Sequence, residues 1–191
     1  MKRITVFCGS SMGSEPIYKE QAYQLGKSLA EQNIGLVYGG SSTGLMGTVA
    51  NGAIENNGNV IGVLPIFLKN LEVAHPNLSE LILVETMHER KTKMNDLSDG
   101  TIMLPGGFGT LEEFFEMLTW GQLGLHKKPV AVLNVDGFYD DLFALIDKMV
   151  DKRFLSEVNQ KMVIVSDNID DLLTKMRNYQ PPTEAKWIGK N

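Results

Sequence analysis

Seven short apolar runs alternate with segments of helical periodicity along this 191-residue chain. The runs are almost continuously apolar, which is typical of strands buried on both faces in a parallel sheet covered by helices. Glycine-rich or serine-rich turns follow several of them, where strands would pass into helices. The sequence therefore predicts an α/β fold: a single doubly wound Rossmann-like domain, with a mainly parallel sheet of about seven strands and helices on both faces.

The elements follow from local patterns taken in chain order. Runs rich in Val, Ile and Leu that end at a turn signal predict strands over residues 4–8, 35–38, 60–64, 81–84, 101–104, 130–133 and 162–165. Apolar residues at helical spacing predict helices over residues 15–32, 45–56, 87–97, 110–123 and 139–150. Asp167 is expected to cap a last helix that ends near Tyr179. One domain is thus predicted over residues 1–180, with a polar tail over 181–191.

Composition excludes several classes of function. The net charge of −5 argues against nucleic-acid binding, which needs a concentrated basic surface. Cys8 is the only cysteine, so neither an internal disulfide nor a multi-cysteine metal site is expected. No apolar run approaches the roughly 20 residues that span a bilayer, and the N-terminal apolar stretch is too short for a signal peptide. We therefore expect a cytoplasmic protein without membrane contact.

Four predicted strand exits carry unusual residues, at positions 9–11, 39–44, 87–91 and 105–110. Ligands of doubly wound folds bind at such exits, so the four are expected to converge on one edge of the sheet. The strongest signal is PGGFGTLEE at residues 105–113. Its glycines permit close backbone approach, and the helix that follows presents unpaired N–H groups to an anion. The loop is therefore predicted to hold a phosphate.

A purely structural role for the same loop is compatible with that prediction. Thr110 would cap the helix and Glu113 would complete a capping box.

Two familiar phosphate motifs do not fit. The first strand is not followed by G-x-G-x-x-G, which disfavours an NAD or FAD enzyme. The loop at 39–44 has P-loop-like glycine spacing, but Leu45 stands where the phosphate-binding lysine belongs. Its glycines and serines are expected to line a second wall of the pocket.

The segment MHERK, residues 87–91, places charged side chains at a predicted helix start. An ordinary solvated helix face explains Lys91 as well as ligand binding does. Arg90 favours function, because a guanidinium beside the glycine loop can contact phosphate or assist a departing base. No cofactor is expected, and no metal, since His75 and His126 lack partners at ligand spacing.

Two adjacent carboxylates, Glu112 and Glu113, stand in the first turn of the helix behind the glycine loop. Neighbouring helical residues point about 100° apart, so only one can face the pocket squarely. A carboxylate beside a bound sugar can stabilise an oxocarbenium-like transition state or activate a water. The sequence does not rank the two.

PGGFGTLEE and MHERK together resemble the paired signatures of the Lonely Guy family, and VFCGSS and YGGSSTGLMG are similar to its bacterial members. The likeness runs over about residues 2–187. It implies a cytokinin riboside 5′-monophosphate phosphoribohydrolase, which hydrolyses the N-glycosidic bond of N6-modified AMP or AMP to free base and ribose 5-phosphate. It also implies no cofactor and at least a homodimer. The label lysine decarboxylase, given to some members, fits poorly, since nothing suggests a pyridoxal-phosphate site.

The resemblance assigns roles to particular residues. Arg90 and Glu113 are the expected catalytic residues. The substrate-binding residues are expected to be Ser10, Ser41, Glu72, Lys91, Gly106, Gly107, Phe108, Gly109, Thr110, Leu111 and Glu112. Glu72 would line the base end, Glu112 would hold ribose hydroxyls, and Phe108 would either pack on substrate or plug the loop.

Two further expectations concern partners. The predicted helix over residues 110–123 is apolar over much of its surface, through Leu111, Phe114, Phe115, Leu118 and Trp120. We expect one face of this helix to pack on the sheet and another on a second subunit. The alternative is that the whole helix is buried within one subunit. The alternative to the enzyme is a nucleotide-binding or carrier protein with the same phosphate pocket and no turnover.

Overall fold

A computed structural model describes residues 1–68 and 74–182 of the chain. Its strands are β1 (Arg3–Phe7), β2 (Gly35–Tyr38), β3 (Val60–Pro65), β4 (Glu80–Val84), β5 (Thr101–Met103), β6 (Val130–Leu133) and β7 (Val163–Ser166). Its helices are α1 (Pro16–Glu31), α2 (Gly44–Ile54), α3 (Met87–Leu97), α4 (Phe108–Gln122), α5 (Asp140–Asp151), α6 (Glu157–Gln160) and α7 (Ile169–Arg177). Two single-turn 3-10 helices cover Ile66–Leu68 and Val135–Gly137.

The strands form one sheet in the order β4-β3-β2-β1-β5-β6-β7, and every pairing between them is parallel. From β1 the chain builds outward to β4 on one side, then crosses to β5 on the other side of β1. Phe7 pairs with Met103, so β1 and β5 end at the same level. The order therefore reverses between these two strands, and the crevice beyond their carboxyl ends is where such folds bind ligands.

Helices cover both faces of the sheet around two hydrophobic clusters. Residues such as Leu25 of α1, Val49 of α2 and Leu172 of α7 form one cluster with the sheet. Met94 of α3 and Phe114 of α4 belong to the cluster on the opposite face. The predicted α/β class and the doubly wound arrangement are thus confirmed.

Two local predictions were wrong, and one short helix was missed. The expectation that every strand is buried on both faces is wrong for β4. This edge strand pairs only with β3, and its Leu81 and Leu83 are partly exposed. Asp167 does not cap the last helix; the Asn168 side chain accepts from the Asp171 N–H at 3.0 Å, so α7 begins one residue later. The short helix α6 was not predicted, since it spans one turn and has no buried residue.

Candidate active site

A cavity of about 260 Å³ opens at the carboxyl ends of β1 and β5, where the strand order reverses. Its walls come from the ends of β1 and β2, the first turns of α2, α3 and α4, and the loop before α4. The lining residues are Val6, Phe7, Cys8, Gly9, Ser10, Gly39, Met46, Met87, Arg90, Gly107, Phe108, Gly109, Thr110 and Glu113. The four strand exits marked in the sequence thus all contribute to one cavity.

The glycine loop leads from β5 into α4 against the end of β1. The Gly9 N–H donates to the Pro105 carbonyl at 3.0 Å, which joins the two strand exits. A Cβ on Gly106 would lie 2.2 Å from Thr110 Oγ1, so close packing alone requires glycine there. A Cβ on Gly107 would meet nothing within 4 Å, and the φ of Gly107 is an ordinary −99°. Neither conformation nor packing within the described residues explains that glycine, which leaves open space beside the backbone at the cavity.

The predicted capping box at this helix start was wrong. α4 begins at Phe108 with Gly107 as its N-cap, and no side chain caps it. Thr110 is therefore the third helical residue, and it is buried. The first N–H groups of an uncapped helix lack intrahelical partners and carry the positive end of the helix dipole. Phe108, Gly109 and Thr110, the first residues of α4, line the cavity, so this uncapped helix start suits a phosphate better than the capped turn would.

Phe108, at the cavity rim, is 95% exposed. A ring that plugged the loop would be buried, so this alternative was wrong.

Arg90 lies in the cavity wall on the first turn of α3. Thr86 caps this helix by accepting from the Glu89 N–H at 3.1 Å. Arg90 is only 6% exposed, and its Nε donates to the Val63 carbonyl at 3.1 Å. A Cβ on Gly39 would lie 2.0 Å from Arg90 Nη2, so this glycine makes room for the guanidinium. Among the described residues no carboxylate lies within 4.0 Å of Arg90, which leaves a buried cation free for an anionic ligand.

Glu113 faces the same cavity from α4 and is 9% exposed. Burial raises the pKa of Glu113 to about 7, with a smaller rise from Glu112, while the Arg90 charge opposes the shift. A carboxyl group with this pKa exchanges protons near neutral pH, as a general base or acid does. Cys8, in the cavity floor, is not such a group, because burial and the nearby Glu113 raise the pKa of its thiol far above neutrality.

Lys91 and Glu112 are not among the cavity-lining residues. The Lys91 ammonium lies 2.6 Å from Glu112 Oε1 and 2.9 Å from Glu116 Oε2. The solvated helix face considered for Lys91 was wrong, because its side chain is buried between α3 and α4. His88 and Glu89 also stand away from the cavity, and Glu89 accepts from the Glu85 N–H at 2.8 Å.

The other predicted site residues have four different placements. Ser10 lies on the cavity wall. Ser41 is fully buried and shares a hydrogen bond with the Thr43 hydroxyl at 2.9 Å, so it shapes the second loop from behind the wall. Gly106 and Leu111 pack beneath the glycine loop and do not line the cavity. Glu72 lies outside the described residues.

The lining residues that sequence reasoning missed are mainly Cys8, Met46 and Met87. Cys8 and Met46 lie next to the predicted glycine-rich strand exits, and Met87 is the first residue of MHERK. Their position in the sequence was therefore the only available signal, because the chemistry of their side chains did not distinguish them.

Within residues 1–68 and 74–182, no group of three or more His, Cys, Asp or Glu side chains is placed to hold a metal ion. A search of the same residues for a helix long and apolar enough to cross a bilayer finds none.

Comparison with solved structures supports the fold. The molybdenum cofactor binding protein of the phototrophic bacterium Rippkaea orientalis aligns with a TM-score of 0.70 at 25% identity, over 93% of this chain and 97% of that one. The Moco carrier protein of Chlamydomonas reinhardtii aligns with a TM-score of 0.69 at 22% identity, over 92% and 95% of the two chains.

Sequence comparison goes further. A protein-family model described as possible lysine decarboxylase matches residues 46–176. Cytokinin riboside 5′-monophosphate phosphoribohydrolase LOG7 of Arabidopsis thaliana is 46% identical over 180 residues, which covers 94% of this chain and 83% of that protein. Cytokinin riboside 5′-monophosphate phosphoribohydrolase LOG of Oryza sativa subsp. japonica is 45% identical over 187 residues, which covers 98% of this chain and 77% of that protein. With both signatures in place around one cavity, this chain belongs to the Lonely Guy family of cytokinin riboside 5′-monophosphate phosphoribohydrolases.

Proposed function

We propose that this protein hydrolyses the N-glycosidic bond of AMP or N6-modified AMP, releasing the free base and ribose 5-phosphate. The observation that carries the proposal is that two buried side chains of opposite charge type, Arg90 and Glu113, line one cavity below the uncapped N-terminus of α4. The names of its relatives, 44–46% identical, describe this reaction.

The phosphate of the substrate binds at the mouth of the cavity. Backbone N–H groups of Phe108, Gly109 and Thr110 donate to it, and the Ser10 hydroxyl lies on the same wall. Gly107 leaves space for the phosphate oxygens. This contact is remote from the reacting carbon, so its binding energy serves to position the ribose for reaction.

Glu113 acts on the ribose. In the reaction, the bond between C1′ and the base nitrogen breaks with its electron pair on the base, a water oxygen bonds to C1′, and the proton that this water loses ends on the departing base. Ionised Glu113 stabilises the positive charge that develops on the ribose ring and orients the attacking water. Arg90 contacts the phosphate or the leaving base, since its Nη atoms have no carboxylate partner among the described residues. Glu112, which pairs with Lys91, is the weaker candidate for catalysis.

The same α4 helix supplies the argument for a homodimer. Leu111, Phe115, Leu118 and Trp120 are only partly buried within one chain, although they join the core cluster behind them. A second subunit against this surface would complete their burial. We also place the protein in the cytoplasm, where a lone buried thiol such as Cys8 stays reduced.

Base release from a panel of nucleotides tests the function. Purified protein is incubated with AMP, N6-prenyl-AMP and the matching nucleosides, and free base is quantified by chromatography. We expect base from the 5′-monophosphates and little from the nucleosides, because these lack the phosphate anchor. Glu113→Gln and Arg90→Met should each remove turnover. No base from any nucleotide, or full activity in Glu113→Gln, would contradict the proposal.

The same panel tests the alternative of a carrier, which the molybdenum cofactor binding protein of similar fold favours. A carrier would bind a nucleotide saturably and return it unchanged. Calorimetric titration of the wild-type protein with AMP, followed by chromatography of the recovered ligand, separates binding alone from turnover.

A further inference from the structure

The turn that leaves β6 supplies a side chain that holds the start of the glycine loop. β6 pairs with β5 in the sheet, so this turn adjoins the loop that leaves β5. Tyr139, at the end of the turn, is 3% exposed, and its hydroxyl donates to the Leu104 carbonyl at 2.9 Å. Tyr139 is not among the cavity-lining residues, so this contact lies behind the loop and not inside the cavity.

A local network fixes the position of Tyr139. The Asn134 side chain accepts from the Tyr139 N–H at 2.8 Å and donates to Asp140 Oδ1 at 2.7 Å. Between these residues the chain turns sharply, because Asp136 and Gly137 adopt left-handed φ values of 50° and 67°. Burial raises the pKa of the Tyr139 hydroxyl, so this group stays protonated at neutral pH and can donate. The hydroxyl is therefore held in place by contacts that do not involve the glycine loop.

The contact bears on anion binding because a loop that holds a phosphate must present N–H groups to it and keep carbonyl oxygens away. The two carbonyls at the start of this loop are both held by donors of the protein. The Leu104 carbonyl accepts from Tyr139, and the Pro105 carbonyl accepts from the Gly9 N–H at 3.0 Å. Without the Tyr139 hydroxyl, the Leu104 carbonyl would lose a buried donor, and the peptide that leads into the loop would be free to rotate.

We propose that Tyr139 is a positioning residue for phosphate binding: its hydroxyl fixes the Leu104 carbonyl and thereby the path of the chain into the glycine loop. The inference rests on the proposed function in one respect, that this loop holds the phosphate of the substrate. It does not require turnover, because the position of the loop affects binding as such. A tyrosine that only stabilised the core would not favour one ligand over another, so the two roles differ in what they predict for ligands.

The affinities of AMP and adenosine, which differ only in the phosphate, separate the two roles. Both are measured in a Glu113→Gln background so that AMP is not consumed, AMP by calorimetry and adenosine by NMR titration. The ratio of the two dissociation constants reports the contribution of the phosphate. Adding Tyr139→Phe should weaken AMP binding about tenfold, the loss expected for one hydrogen bond, and should leave adenosine binding within about twofold. The preference for AMP over adenosine should therefore fall at least about fivefold.

Tyr23→Phe is the matched control, because the Tyr23 hydroxyl donates to Glu55 at 2.7 Å and neither residue lines the cavity. This variant should keep the preference of the parent protein for AMP. An unchanged preference in Tyr139→Phe, or an equal loss of affinity for AMP and adenosine, would overturn the inference. If Tyr139→Phe does not fold, Asn134→Ala decides the matter, since it removes the two hydrogen bonds that hold the turn and should lower the preference several-fold. A lowered preference supports the inference even if no nucleotide is cleaved, an outcome that would contradict only the proposed function.

Discussion

Replacing Glu113 with glutamine should stabilise the folded protein above neutral pH while removing its activity. The carboxyl is 9% exposed, and burial raises its pKa from the ordinary 4.5 to about 7. Below pH 4.5 the group is protonated in both the folded and the unfolded chain, so it contributes no pH dependence. Between pH 4.5 and 7 the folded chain holds a proton that the unfolded chain has lost, and the free energy of unfolding therefore falls as pH rises.

The size of the effect follows from the shift. The difference between 4.5 and about 7 is near 2.5 pH units, and each unit corresponds to about 1.4 kcal/mol, so ionised Glu113 costs the fold roughly 3 kcal/mol above pH 7. Glutamine has nearly the same shape and no charge. Relative to wild type, Glu113→Gln should thus gain roughly 3 kcal/mol between pH 4.5 and pH 8.

Urea unfolding at pH 4.5 and pH 8, at one protein concentration, measures this difference. Glu20 on α1 is exposed, so Glu20→Gln is the matched control and should show the same pH dependence as wild type. A Glu113→Gln curve parallel to that of wild type across this range would refute the reasoning. It would mean that water or another group already solvates the carboxylate in the folded state.

Three more predictions follow from the same cavity. Wild-type kcat/KM for AMP should fall about tenfold per pH unit below pH 6 and level off above pH 8, as Glu113 becomes ionised, in initial-rate assays of base release. Gly39→Ala should lower kcat/KM on the order of a hundredfold in the same assay, with thermal unfolding little changed, because its Cβ displaces the flexible end of Arg90. Gly107→Ala should weaken AMP binding at least about tenfold by calorimetry without lowering the unfolding temperature, whereas Gly106→Ala should lower that temperature through its clash with Thr110. A fall in the unfolding temperature of Gly39→Ala as large as that of Gly106→Ala would contradict the role given to Gly39. Unchanged AMP binding in Gly107→Ala would contradict the close approach of a ligand to Gly107.

The fold class was predictable because its signals are local. Continuous apolar runs and the glycines after them predict buried parallel strands with loops that enter helices, and all seven strands were found. The same logic failed at β4, since an edge position depends on which strands pair and not on the run itself. The same logic also failed at Thr110. A threonine followed three residues later by a glutamate is a typical helix cap, so the sequence favoured Thr110 as the cap of α4. Only the path of the chain out of β5 places the start of α4 at Phe108.

By itself, the sequence determined the doubly wound architecture, the glycine loop at residues 105–110, and Arg90 with the adjacent glutamates as candidate chemistry. Only the tertiary structure showed which of the two adjacent glutamates lines the cavity. Glu113 is buried in the cavity wall, whereas Glu112 pairs with Lys91. The reason is that burial and charge environment are set by the helix packed opposite, and α3 meets α4 only after the chain has crossed the sheet.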